Sequence, residues 1–223
     1  MKSVLFFDVN ESLLDLSVLK PHFKRLFGDE QILFQWFGQV LQTAMLTVIT
    51  GQYSDFGKVG RGALDMMGEK YGIALTDDDR TQIVGGMRTL PPHPDVLAGF
   101  EKLKAAGYRM ASLTNSPPAV ARAQLENAGL VGFLEKVISV DEVKSLKPAE
   151  KVYQHAASVM GVSTAETRLI AAHSWDVAGA MSAGCKAAFI ARPGMVLNPL
   201  FTPPDVVAPD LIQVADQIIS TEA

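Results

Sequence analysis

The polar and apolar positions of this chain fall into two regimes. It opens on an unbroken apolar run, Val4–Phe7, that ends on Asp8 and a polar turn of Asn10, Glu11 and Ser12. A short continuous run of this kind reads as a strand buried on both faces. Downstream the spacing becomes helical. Apolar residues recur at helical intervals over residues 16–27, 31–49 and about 55–71, with Gly28 and Gly51 at the first two stops, and Thr76-Asp77-Asp78-Asp79 reads as a capped, acidic first turn of a shorter helix reaching Met87. Pro91-Pro92-His93-Pro94 then halts and redirects the chain, so residues 16–90 are expected to form an all-helical insert.

The second regime is a regular alternation of helix and strand. Helices at 95–106, 118–128, 149–160 and 175–183 precede strands at 109–113, 136–140, 168–172 and 187–191, and Gly107, Gly129, Gly161 and Gly184 each fall where a helix must hand over to the next strand. A last strand is expected near Val206 and Val207, and a helix from about Asp210. Such alternation predicts an α/β fold built on a parallel sheet.

Composition narrows the class. With 223 residues, 48% hydrophobic and 20% charged, the chain has material for one full core and a smaller companion module. A net charge of −4 without a cluster of Lys and Arg gives no footprint for nucleic acid or an anionic membrane surface. Cys185, the single cysteine, lies in an apolar flank and is expected to be a buried thiol, which excludes an intrachain disulfide. The first strand begins within three residues, and no apolar run is read as approaching the roughly 20 residues that span a bilayer. A cytoplasmic protein is expected.

Candidate chemistry gathers where strands end, because ligands of open parallel sheets sit beyond the carboxyl ends of the strands. Asp8 follows the first strand, Thr114-Asn115-Ser116 the second, Asp141 the third, and His173 with Asp176 the fourth; Lys147 adds a cation just before Pro148, which is expected to start a helix. Each has a plain reading when taken singly. Asp8 suits an acidic turn, Thr114 or Ser116 a helix cap, Asp141 and Lys147 solvated charge, His173 a satisfied structural histidine and Trp175 core packing.

Taken together, these residues resemble the motifs of the haloacid dehalogenase superfamily, and within it the 2-haloacid dehalogenases. Phe7-Asp8-Val9-Asn10-Glu11-Ser12 looks like the first motif, with Asp8 as nucleophile and Ser12 as its supporting hydroxyl. Leu113-Thr114-Asn115-Ser116 matches the second, Lys147-Pro148 with Tyr153 the third, and Ala171-Ala172-His173-Ser174-Trp175-Asp176 the fourth. The resemblance implies a Rossmannoid core at residues 1–15 and 91–223, helices on both faces of its sheet, and an inserted helical cap at 16–90. It also implies an ester formed on Asp8 from a short (S)-2-haloalkanoate and then hydrolysed to a 2-hydroxy acid. In that scheme Thr114, Asn115 and the following amides bind the substrate carboxylate, Asn10, Tyr153 and Trp175 line the pocket, Lys147 balances Asp8 and Asp176, and Asp176 with His173 orients or deprotonates water.

Two departures shape the expectation. A phosphatase of the superfamily needs an aspartate where Asn10 stands and a carboxylate cluster near Ala172 and His173 to hold Mg²⁺, so metal-free catalysis without a cofactor is expected. The family's cap arginine is missing: no arginine lies between Arg25 and Arg61, which leaves Trp36 or Gln39 to cradle the halide. A Mg²⁺-dependent phosphatase and a non-catalytic carboxylate binder stay open as alternatives, and a homodimer through the cap is allowed.

Overall fold

The structure, a computed structural model, describes residues 2–222. Six parallel strands form one sheet in the order β3-β2-β1-β4-β5-β6: β1 (Val4–Phe7), β2 (Met110–Thr114), β3 (Lys136–Ser139), β4 (Thr167–Ala171), β5 (Lys186–Ile190) and β6 (Val206–Ala208). The strands β1, β2 and β4 are buried along their whole length, as uninterrupted apolar runs require. The chain travels one way from β1 through β2 to β3, then jumps back across β1 to β4. Right-handed crossovers therefore put α5 (Val96–Ala105) and α6 (Pro118–Asn127) on one face and α7 (Glu150–Val159) and α8 (Ser174–Ser182) on the other. The C-terminal α9 (Leu211–Thr221) packs on α5, where Gly99 lets Leu211 approach so closely that a Cβ would lie 2.6 Å from its Cγ.

Between β1 and α5 stand four helices: α1 (Lys20–Phe27), α2 (Ile32–Thr50), α3 (Phe56–Tyr71) and α4 (Asp77–Gly86). Their buried side chains continue the core of the sheet, with Phe23 packed on Trp36 and the Trp36 indole N–H donating to the Gly60 carbonyl at 3.0 Å. Thr76 and Asp79 close a capping box at α4. The segments entering and leaving this insert run antiparallel, Asp15 N–H donating to Pro91 O and His93 N–H to Leu13 O.

Some sequence expectations need correction. The α2 helix, 19 residues with mean hydropathy 1.4, is long and apolar enough to cross a membrane by length and composition, because its interruptions are Gln, Gly and Thr and none is charged. Here one side packs on α3 while Leu46 and Ile49 stay exposed. The helix after Lys147 starts at Glu150, since Pro148, joined through a cis peptide, belongs to the turn before it. Asp141 opens no cleft. It sits in a 3₁₀ turn, Val140–Val143, paired with Lys144 and accepting from Tyr53 of the cap. Cys185 is buried and unpaired.

Candidate active site

The switch in strand order lies between β1 and β4, and the sequence puts Asp8 beyond one and His173 and Asp176 beyond the other. Lys147 bridges the two acids: its Nζ is 2.7 Å from Asp8 Oδ1 and 2.5 Å from Asp176 Oδ2, with 1% of its side chain exposed. Tyr153 donates to the other oxygen, Asp176 Oδ1, at 2.6 Å. On the far side of the nucleophile, Ser12 Oγ accepts from Ala172 N–H at 2.8 Å and donates to Asp8 Oδ2 at 2.5 Å. His173 Nδ1 meets the same Oδ2 at 3.0 Å, and its Nε2 meets Glu11 Oε2 at 2.9 Å.

Charge in this buried cluster is set by its partners. Burial works against ionising Asp8, but Lys147 and the His173 hydrogen bond outweigh it and hold the carboxyl well below the usual range. Burial also opposes the charged form of His173, yet hydrogen bonds to Asp8 and Glu11 push its value up to about 10. Asp176 moves the other way: desolvation, only partly offset by Lys147, raises it and makes it a better proton acceptor than an ordinary carboxylate. Lys147 is raised, because its two carboxylates overcome burial.

The second loop completes the pocket. Asn115 Oδ1 accepts from Lys147 N–H at 2.9 Å, leaving its Nδ2 without a partner among the described residues, and Thr114 Oγ1 accepts from Ser116 N–H. The cap closes over this floor. The Phe37 ring centroid lies 6.2 Å from that of His173, and Trp175 stacks on His173 at 5.2 Å with Lys147 Nζ 5.9 Å from its own centroid. A cleft of about 680 Å³ opens beside it between cap and core, lined by Phe37, Phe56, Met87, Ser116 and Pro117.

Several expected roles change. With a carboxylate on each ring nitrogen, His173 is an imidazolium at neutral pH and has no nitrogen free to take a proton from water. Tyr153 serves Asp176 and does not reach into the pocket as a substrate ligand. Asn10 is committed to the protein, accepting from Gln124 Nε2 at 2.9 Å. Trp36 spends its only donor on Gly60 and so offers no hydrogen bond to a halide, while Gln39 directs one of its two amide N–H donors to Thr43 on the same helix at 3.3 Å. Residues the sequence did not mark hold the nucleophile loop: Glu11, Gln124, which also donates to Met87 O, and Arg192, which grips the Ser12 carbonyl from Nε and Nη2 at 3.2 and 3.0 Å. Among the described residues no three His, Cys, Asp or Glu side chains group to hold a metal, and between Asp8 and Asp176 the ammonium of Lys147 occupies the bridging position.

Comparison with known proteins agrees with this geometry. The model of the haloacid dehalogenase-like hydrolase family matches residues 3–184. An (S)-2-haloacid dehalogenase 1 of Pseudomonas sp. (strain CBS-3) is 30% identical over 180 residues, covering 80% of this chain and 79% of its own length. Among solved structures, the L-2-haloacid dehalogenase of Xanthobacter autotrophicus superposes with a TM-score of 0.91 at 26% identity, covering 98% of both chains. The same enzyme with chloropropionic acid covalently bound gives 0.90, at the same identity and coverage. With its six-stranded parallel sheet, helical cap and buried Asp8, the chain belongs to the haloacid dehalogenase-like hydrolase family.

Proposed function

We propose that this protein is an (S)-2-haloacid dehalogenase that hydrolyses short (S)-2-haloalkanoates to 2-hydroxy acids through an ester on Asp8, without a metal. The observation that carries this reading is the nucleophile itself: a buried, ionised carboxylate with Asn10, tied to Gln124, where a phosphatase would need a second acid. The similarity to a dehalogenase with chloropropionic acid covalently bound supports the same chemistry. The substrate carboxylate would lie against Asn115 Nδ2 and the backbone leading into α6, with Trp175 as a wall, and Asp176 would take the proton of the attacking water. Of the cations around the cleft, Lys58, Arg61 and Arg80 pair with Asp55, Asp77 and Asp65, and Arg88, without a carboxylate partner among the described residues, favours approach of an anionic substrate.

A cytoplasmic setting and a homodimer belong to the same proposal. The first is supported by the lone, buried Cys185, the second by the exposed Leu46 and Ile49 of the cap. The deciding test is halide release from (S)-2-chloropropionate and monohaloacetates in the presence of EDTA. Release by the wild type that is lost in Asp8→Asn is expected; no release from any haloacid, beside Mg²⁺-dependent hydrolysis of an aryl phosphate, would overturn the reading.

A further inference from the structure

Glu11 is a buried acid beside the nucleophile that the reaction as outlined does not use. Its exposure is 8%, and its backbone is left-handed, with φ of 60°, a conformation a side chain other than glycine rarely adopts unless its surroundings impose it. The surroundings do so here. His93 Nε2 contacts the Glu11 carbonyl at 3.1 Å, and the carboxylate points inward to His173 Nε2 at 2.9 Å.

The two oxygens of Asp8 are not equivalent. Oδ2 faces two donors, Ser12 Oγ and His173 Nδ1, which fill both of its in-plane lone pairs, whereas Oδ1 faces only Lys147 among the described residues. Oδ1 therefore keeps the lone pair that can attack carbon, and Oδ2 becomes the carbonyl oxygen of the resulting ester.

We propose that Glu11 is a positioning residue that keeps His173 doubly protonated after Asp8 has been esterified, so that His173 Nδ1–H and Ser12 Oγ–H form the oxyanion hole for hydrolysis of that ester. This rests on the dehalogenase reading. In the first half-reaction an Oδ1 lone pair forms the bond to the substrate α-carbon while the carbon–halogen bond breaks and halide leaves with its pair. In the second, the oxygen of water bonds to Cγ, one water proton passes to Asp176, and the carbonyl pair moves onto Oδ2, where the two donors already point. Collapse breaks the Cγ–Oδ1 bond. Oδ1 departs with the pair, takes the proton from Asp176 as the hydroxyl of the 2-hydroxy acid, and the new Asp8 carboxyl releases the remaining water proton to solvent.

The division of labour follows from charge. Before alkylation, Asp8 is itself a counter-ion for the buried imidazolium. Once Asp8 is a neutral ester, Glu11 is the only carboxylate among the described residues still hydrogen-bonded to His173, and without it burial would drive the proton off and leave a neutral ring whose hydrogen bond no longer brings positive charge to Oδ2. Loss of Glu11 should spare the first half-reaction and cripple the second.

The experiment is a single turnover of (S)-2-chloropropionate by the wild type, Glu11→Gln and Ser12→Ala, following halide, 2-hydroxy acid and, by intact-protein mass spectrometry, the ester adduct. Glu11→Gln is expected to release one equivalent of halide within about threefold of the wild-type rate and then stall as ester, with hydroxy-acid formation slowed on the order of 10²-fold, the usual cost of one oxyanion-hole donor. Ser12→Ala should accumulate the same adduct, which guards against a Glu11 variant that fails to fold. Equal slowing of both half-reactions without adduct, or no slowing of either, would overturn the proposal. A wild type that releases no halide would instead sink the dehalogenase reading on which it stands.

Discussion

Tyr153 shows how a single side chain can tune this site without touching substrate. Its hydroxyl donates to Asp176 Oδ1 and so favours the ionised carboxylate, against a burial that raises it. Tyr153→Phe removes that donor and raises Asp176 further. Since the base must be ionised to accept a proton, the acid limb of the rate–pH profile is expected to move to higher pH, while the limiting rate falls by less than the loss of Asp176 itself would cause. Asp8 and Asp176 were legible because they follow the ends of strands, where parallel sheets present chemistry, and Lys147 and Ser12 because they fall on motifs of a known family. Glu11 and Arg192 were not, because their roles depend on partners 162 and 180 positions away, and in sequence they pass for turn and surface charges. Trp36 was misread for the converse reason: its type suits a halide, but its one donor is already spent on Gly60.

At the level of elements, α8 meets the lysine loop through a residue with no side chain. A Cβ on Gly179 would lie 2.5 Å from Pro148 Cβ and 2.8 Å from the Tyr153 hydroxyl, so Gly179→Ala must displace the turn that carries Lys147. Thermal or urea unfolding should show a loss of about 1–3 kcal/mol, the usual cost of overpacking. Halide release should fall with it, because a shift of a fraction of an ångström separates Lys147 Nζ from one of its two acids. The strand and helix order was readable because handover glycines such as Gly107 and Gly184, at φ of 77° and 86°, punctuate each unit. The 3₁₀ turn at Val140–Val143 was not, since Val140 continues the strand pattern and what marks the turn, the Ser139 hydroxyl accepting from Asp141 N–H and the contact of Asp141 with Tyr53, depends on the folded chain.

For the whole molecule, opposite shifts bracket the pH of greatest stability. Burial disfavours the Glu222 carboxylate, but Ser3 and Arg168 more than compensate and lower it, so its contribution is present above the ordinary value of 4.5 and fades as pH falls. His173 is raised, so its contribution is complete below 6.5 and is lost as pH climbs toward about 10. Calorimetric melting temperatures should therefore peak between about pH 4.5 and 6.5 and decline on both sides. The protein also carries its own optical reporter. It has two tryptophans, one inside the cap and one stacked on His173. A protonated imidazole against an indole quenches its emission, so in a Trp36→Phe background the remaining fluorophore should be dim at neutral pH and brighten as His173 loses its proton. In the wild-type site that brightening belongs near pH 10, and removing the Glu11 carboxylate should bring it to lower pH, turning a buried proton into a light signal.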